Sequence, residues 1–181
     1  MKKTMLLVLT LLGSTLANAN MSGLNYHQDM DPLALINWKV GDSSDYTLSL
    51  AFGQGSMHKE VTAEEGNDVW LTENVAILGQ KDSSKLLFDR NTGKIIKMIH
   101  NGKEEAIPNE QPEIISQDYG DITVPAGTFK AIHIVAKTKS VSHIEVWANT
   151  KEVVIDGAIK QIMSTQFGDV TLELSKQKKV Q

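Results

Sequence analysis

Two histidines and a glutamate offer the best opportunity for chemistry in this sequence. His143 and Glu145 lie two residues apart, so a β-strand would point both to one face. If residues 128–138 and 142–148 pair as a hairpin closed near Ser140, His133 joins that face beside Trp147. Ile132, Ile134, Ile144 and Val146 then line the other face. Two imidazoles and a carboxylate can hold zinc or iron. The same trio is also ordinary cross-strand pairing on a solvated sheet face, and Lys137 on that face favours this second reading. No metal site is expected. His27, His58 and His100 stand alone and read as structural or exposed.

Other catalytic patterns are missing. The chain has no cysteine and no serine in a G-x-S-x-G setting. Gly53-Gln54-Gly55-Ser56 is too short to cradle a phosphate, and His58 stands where a dinucleotide fingerprint needs glycine. It reads as a turn or bulge. Asp89-Arg90-Asn91-Thr92-Gly93-Lys94 lacks the upstream glycine of a phosphate-binding loop and is followed by Ile95. Glu64-Glu65 and Glu104-Glu105 are adjacent, so on strands they would point apart rather than converge on one bond. The expectation is a non-enzymatic protein with no catalytic residue and no cofactor.

The elements that would position these side chains are short. The chain has 181 residues, 41% hydrophobic and 22% charged, enough for a globular core. Turn signals recur at Gly53-Gln54-Gly55, Gly66-Asn67, Asn91-Thr92-Gly93, Asn101-Gly102, Pro125-Ala126-Gly127, Asp156-Gly157 and Gly168-Asp169, leaving almost no room for a helix. Between them Tyr46, Leu48, Leu50 and Phe52 alternate with Thr47, Ser49 and Ala51, and Val170, Leu172 and Leu174 alternate with Thr171 and Glu173. Period-2 patterns of this kind mark half-buried strands. The fold expected is all-β: a single antiparallel, strongly curved sheet or incomplete β-barrel of about ten strands. Leu86-Leu87-Phe88 and Ile95 to Ile99 are apolar on both faces and read as central strands. Met30 to Trp38 reads as a helical turn or a first strand. Lys103 to Gln117, with Pro108, Pro112 and four glutamates, reads as a surface connection.

The N-terminus has its own logic. Lys2-Lys3, the apolar run Met5 to Leu12 and Ala17-Asn18-Ala19 form a tripartite export signal. Cleavage after Ala19 leaves residues 20–181 as a single β domain, periplasmic or secreted. The apolar run is too short to span a membrane, and without cysteine the N-terminus cannot be lipid-modified. A net charge of −4 with no basic stripe argues against nucleic acid as a partner.

Asp121-Ile122-Thr123-Val124-Pro125-Ala126-Gly127-Thr128-Phe129, followed by alternating Ile132 and Ile134, resembles a hairpin of uncharacterised exported bacterial β proteins. Val40-Gly41-Asp42, Val146-Trp147 and Asp156 to Lys160 are similar in the same order. In outline these proteins are similar to the half-barrels of the LolA and LolB lipoprotein carriers. The resemblance implies an exported domain that holds a lipid or other acyl chain in an apolar concavity. Trp38, Tyr46, Phe52, Trp70 and Trp147 either form the core, the safer reading, or line such a cavity. The alternative is an envelope structural or protein-interaction module with no small-molecule ligand, meeting a partner protein through an exposed sheet edge or through the acidic Pro/Glu connection.

Overall fold

The computed structural model describes residues 36–108, 110, 112–166 and 168–181. The expected export signal, and most of the Met30 to Trp38 segment, lie outside them. Among the described residues eleven strands follow one another: β1 (Ser43–Leu50), β2 (Gly53–Glu65), β3 (Asp68–Ile77), β4 (Gln80–Asp89), β5 (Ile95–His100), β6 (Lys103–Glu105), β7 (Glu113–Val124), β8 (Gly127–Lys137), β9 (Ile144–Ala148), β10 (Ala158–Thr165) and β11 (Gly168–Lys178). They form one sheet in the order β6-β5-β4-β3-β2-β1-β11-β10-β9-β8-β7, with antiparallel ladders between neighbours. Two meanders are thus joined along the β1–β11 seam. No helix of the described residues is long and apolar enough to cross a membrane.

The curvature follows from chain length. β6 and β7 occupy opposite ends of the sheet, yet residues 106–112 alone connect them. Ten strand spacings laid flat would separate those ends by about 48 Å. The connection reaches at most roughly 28 Å. The sheet therefore has to curl until its two ends approach each other, and it does so without closing. At the tip of the β7–β8 hairpin the Ala126 amide donates to the Leu174 carbonyl of β11 at 3.0 Å, fastening the curl from inside.

Turn chemistry sets the register. Asn101-Gly102 takes φ values of 48° and 79°, the two left-handed residues of a two-residue hairpin turn. Leu78-Gly79 does the same at 51° and 77°, a turn that leucine hides from sequence inspection. Gly53 to Gly55 and Gly168-Asp169 lie inside strands rather than in turns, and Ala51-Phe52 makes the β1–β2 turn.

The sheet's inner face carries two apolar clusters. The larger gathers Tyr46, Leu48, Met57, Ile132, Ile134, Ile144, Val146, Leu172 and Leu174; the smaller gathers Val61, Val69, Leu71, Leu86, Phe88 and Met98. β4 is buried on both faces at Leu86-Leu87-Phe88, as its composition suggests. β5 is not central: only the three-residue β6 lies beyond it, and Ile96 is exposed. A doubly apolar run records hydrophobicity but not its place in the strand order. Lys103 to Gln117 likewise is only partly a connection, because β6 opens it and β7 begins directly after Pro112. The missing proline donor is harmless just outside an edge strand.

Candidate functional site

A row of polar side chains crosses the inner face between the two apolar clusters. Strand register pairs Ser44 of β1 with Lys59 of β2, Lys59 with Glu73 of β3, Glu73 with Ser84 of β4, and Ser84 with His100 of β5. Met57 and Val75 flank this row on the side of the larger cluster, Val61, Leu71, Leu86 and Met98 on the other. All five members are buried.

The β9–β10 loop, residues 149–157, lies over the row. Its Val153 joins the larger cluster and its Val154 and Ile155 the smaller. Asp156 Oδ2 sits 2.5 Å from Lys59 Nζ, and Glu73 Oε1 sits 3.5 Å from the same nitrogen, with all three side chains at most 1% exposed. The Ser44 hydroxyl donates to the Val154 carbonyl and the Tyr46 hydroxyl to the Ala158 carbonyl. One cation thus answers two carboxylates. Among the described residues neither Glu73 oxygen has a hydrogen-bond partner.

The electrostatics follow. Burial pushes the Glu73 carboxyl up to about 7; Lys59 opposes that rise and Asp156 adds to it. Burial alone would lower Lys59, but attraction to Asp156 and Glu73 holds its ammonium above the ordinary lysine range. Burial, then the Asp156 charge, raises the Tyr46 phenol.

Asp156 is placed by an unusual backbone. Ile155, Asp156 and Gly157 have φ values of 56°, 52° and 72° in succession, and a β-branched residue rarely occupies that region. At Gly157 an added Cβ would lie 2.8 Å from the Thr150 backbone nitrogen. Gly157→Ala is expected to cost about 2 kcal/mol, read as a lower urea midpoint at unchanged slope. A loss under about 0.5 kcal/mol would mean that the loop relaxes freely.

Further along the row, Ser84 Oγ lies 3.0 Å from His100 Nδ1, and His100 Nε2 lies 3.3 Å from Asp82 Oδ1, which also accepts from Asn101 Nδ2 at 2.5 Å. A serine, a histidine and an aspartate in that order have the connectivity of a proton relay. The surroundings do not suit catalysis: Ser84 has no accessible surface, and its cross-strand neighbour is the Glu73 carboxyl, where an oxyanion would need donors. These groups form a buried network in which Asp82 Oδ2 has no hydrogen-bond partner among the described residues.

The sequence-predicted trio does assemble, on the outer face. His133 Nε2 and His143 Nε2 approach the two oxygens of Glu145 at 3.0 and 2.9 Å. Hydrogen bonding from His143, helped by His133, holds the Glu145 carboxyl below its usual range against the opposing effect of desolvation. The carboxylate lies between the rings rather than sharing a vacant point with them. No group able to hold a metal occurs among the described residues. His133 also stacks on Trp147, with centroids 4.2 Å apart and planes 7° from parallel, and its Nδ1 faces Asp118 at 3.3 Å. Lys160, 5.8 Å from the Trp147 ring, bonds Glu173 at 2.8 Å, so a rail of paired side chains runs from β11 to β7.

The five aromatics considered as a lining are dispersed. Tyr46 is in the larger cluster. Trp38 packs edge-on against Phe88 beside the smaller one, with centroids 5.1 Å apart. Phe52 is exposed in the β1–β2 turn, Trp70 bonds Glu65 on the outer face, and Trp147 belongs to the outer rail. A depression of about 630 Å³ is lined by residues of both parities on β1 to β4, Asp45, Thr47, Ser56, His58, Asn74 and Lys81 together with Tyr46, Met57, Val75 and Asp82, and by Asn101.

No protein-family model matches the chain, and no curated protein matches it by sequence. Solved structures do resemble it. A hypothetical protein from Chlamydia trachomatis aligns over 80% of this chain and 89% of its own, with a TM-score of 0.50 and 10% identity. A Bacteroides fragilis protein of YmcC-like fold, named as a candidate exported protein, covers 78% of this chain and 97% of its own, at a TM-score of 0.46 and 10% identity. MucB, solved alone and with MucA, aligns over 82% of this chain at a TM-score of 0.45 and 7% identity in the unbound form, where the match spans 56% of MucB. At such identities the likeness to the chlamydial protein concerns the fold alone.

Proposed function

We propose that the chain is an exported, non-catalytic β domain that works by holding a protein partner at its open sheet edge. The observation that carries this reading is the contrast between the inner face and the edge. Tyr46, Leu48, Met57, Ile132, Ile134, Ile144, Leu172 and Leu174 are each at most 4% exposed, so the concave side is occupied by the protein's own side chains. β7, twelve residues long, ends the sheet with no described strand beyond it. A filled core and an open edge are what a partner-binding module requires. A carrier needs apolar surface left vacant for its ligand.

Export rests on the tripartite segment Met1 to Ala19, whose removal leaves residues 20–181 as the acting domain. The lack of catalysis rests on the burial of Ser84, which has no accessible surface and faces the Glu73 carboxyl. The lipid-holding reading, which comes from the likeness to LolA and LolB half-barrels and the Val124-Pro125-Ala126-Gly127 turn, ranks second.

Native mass spectrometry on the protein purified from an exporting host without detergent tests the choice. The expected mass is that of residues 20–181 with nothing bound. A reproducible adduct, lost on organic extraction and identified as lipid, would overturn the partner-binding reading in favour of the carrier.

A further inference from the structure

We infer that Lys59 and Asp156 become joined by an amide bond, Nζ to Cγ, which forms inside the folded protein with Glu73 relaying a proton and one water released. Such a bond lies on the inner face and is independent of the partner-binding reading above.

The groups this reaction needs are all in place. An amine must reach a carboxyl carbon, a neighbour must take and return a proton, and a donor must hold the oxygen that gains charge. Lys59 Nζ lies 2.5 Å from Asp156 Oδ2, so the carbon to be attacked is one bond beyond the atom the amine already touches. Asp156 Oδ1 accepts from the Ala158 amide at 3.1 Å, which fixes the carboxyl and provides the donor. Glu73 Oε1 lies 3.5 Å from the same Nζ. A carboxyl buried without a hydrogen-bond partner needs a reason, and a proton relay is one. Burial places it near 7, where it can both accept and give a proton. The positive φ values of Ile155 and Asp156 belong to the loop that delivers the carboxyl, and holding two reactants in contact replaces a chance encounter.

Burial also favours the product. Lys59 and Asp156 are each 1% exposed, and an interior cation and anion carry a desolvation penalty that a neutral amide does not. The step needs no co-reactant. A proton crosses from Nζ to Asp156 Oδ2, leaving a neutral amine beside a neutral acid. Nζ attacks Cγ while the Ala158 amide holds Oδ1. Glu73, as carboxylate, takes a second proton from the attacking nitrogen and passes it to Oδ2; the Cγ–Oδ2 bond breaks and water departs. Of the three ammonium protons one stays on the amide and two leave with Oδ2, and Glu73 ends as it began. Its two carboxylate neighbours hold Lys59 as the ammonium, so the neutral pair is the minor form and the ion pair persists in newly folded protein. Lys59 and Asp156 are 97 positions apart, and the chain has no cysteine. The amide would tie the strained β9–β10 loop to β2, as a disulfide does in other exported domains.

Denaturing mass spectrometry with tryptic mapping tests this on protein from an exporting host, sampled until its mass is constant. The expected chain is lighter by one water. Its digest is expected to contain a branched peptide in which residues 40–81, uncut after Lys59, are joined to residues 152–160. Lys59→Arg is expected to keep the water, and Glu73→Gln to form the bond roughly a hundredfold more slowly. A mass that never falls overturns the inference. So does a lost water with trypsin still cutting after Lys59, which marks a cyclic imide at Asp156-Gly157 instead. Bond formation at the parental rate in Glu73→Gln overturns the relay and with it the inference as stated. Should either variant fail to fold, the peptide map of the parent decides alone.

Discussion

Lys59→Met is expected to destabilise the fold by about 3–5 kcal/mol, because it strands two carboxylates in the interior. Lys59 is the cation that faces both Asp156 and Glu73, and none of the three side chains is more than 1% exposed. Methionine fills a similar volume, so the loss reports charge rather than a cavity. The damage should be directional. Asp156 lies on the β9–β10 loop, whose backbone is strained at Ile155 to Gly157, and the ion pair is one of the contacts that hold it down. Amides of residues 149–157 should therefore lose exchange protection before those of β3. Urea unfolding at pH 7 measures the size. If Lys59→Met fails to fold, the triple change Lys59→Met, Asp156→Asn, Glu73→Gln still decides the matter, since removing all three charges together should restore most of the stability. A single variant losing less than about 1 kcal/mol would mean that water already reaches the cluster.

The polar row was legible in principle, though not by searching for motifs. Ser44, Lys59, Glu73, Ser84 and His100 come from five successive strands, and spacing in the chain gives no hint that they meet. What sequence does provide is parity. Lys59 stands two residues from Met57 and from Val61, Glu73 two from Leu71 and from Val75, and His100 two from Met98, so each shares a face with apolar neighbours. A charged side chain at such a position is either misassigned or buried with a partner. Parity cannot supply the partner, because Asp156 arrives from a loop almost a hundred residues away.

Other features show the same division between local and non-local information. The outer-face trio was readable because a single hairpin, β8–β9, carries it, and one register fixes all three side chains. The dispersal of Trp38, Tyr46, Phe52, Trp70 and Trp147 was not readable, since it depends on which face of which strand curls inward. β7 escaped detection as a strand at its start because Glu113 to Asp121 does not alternate. An edge strand with little buried surface has no reason to. The doubly apolar β5 misled in the opposite direction, since only strand order reveals that it lies next to an edge.

Glu73→Gln is expected to change how stability depends on pH more than it changes the fold. The Glu73 carboxyl is raised from its ordinary 4.5 to about 7, burial being the main cause. A carboxyl raised on folding binds more protons in the native state than in the unfolded state between those values. Its contribution is then complete below about 4.5, fades as pH climbs, and is gone above about 7. Glutamine reproduces the neutral acid while keeping an oxygen facing Lys59, which retains Asp156 as its counter-charge. The variant and the parent should therefore be equally stable near pH 4. By pH 8 the variant should be ahead by roughly 3 kcal/mol, as each tenfold gain in proton affinity on folding is worth about 1.4 kcal/mol. Glu145, held low on the outer face, acts with the opposite sign below the ordinary carboxylate range and is common to both proteins, so it cancels from the difference. Urea unfolding of the pair at pH 4, 6 and 8 gives that difference directly. A difference independent of pH, or a variant weaker than its parent at pH 8, would show that Glu73 is ionised throughout and that Lys59 shields it fully.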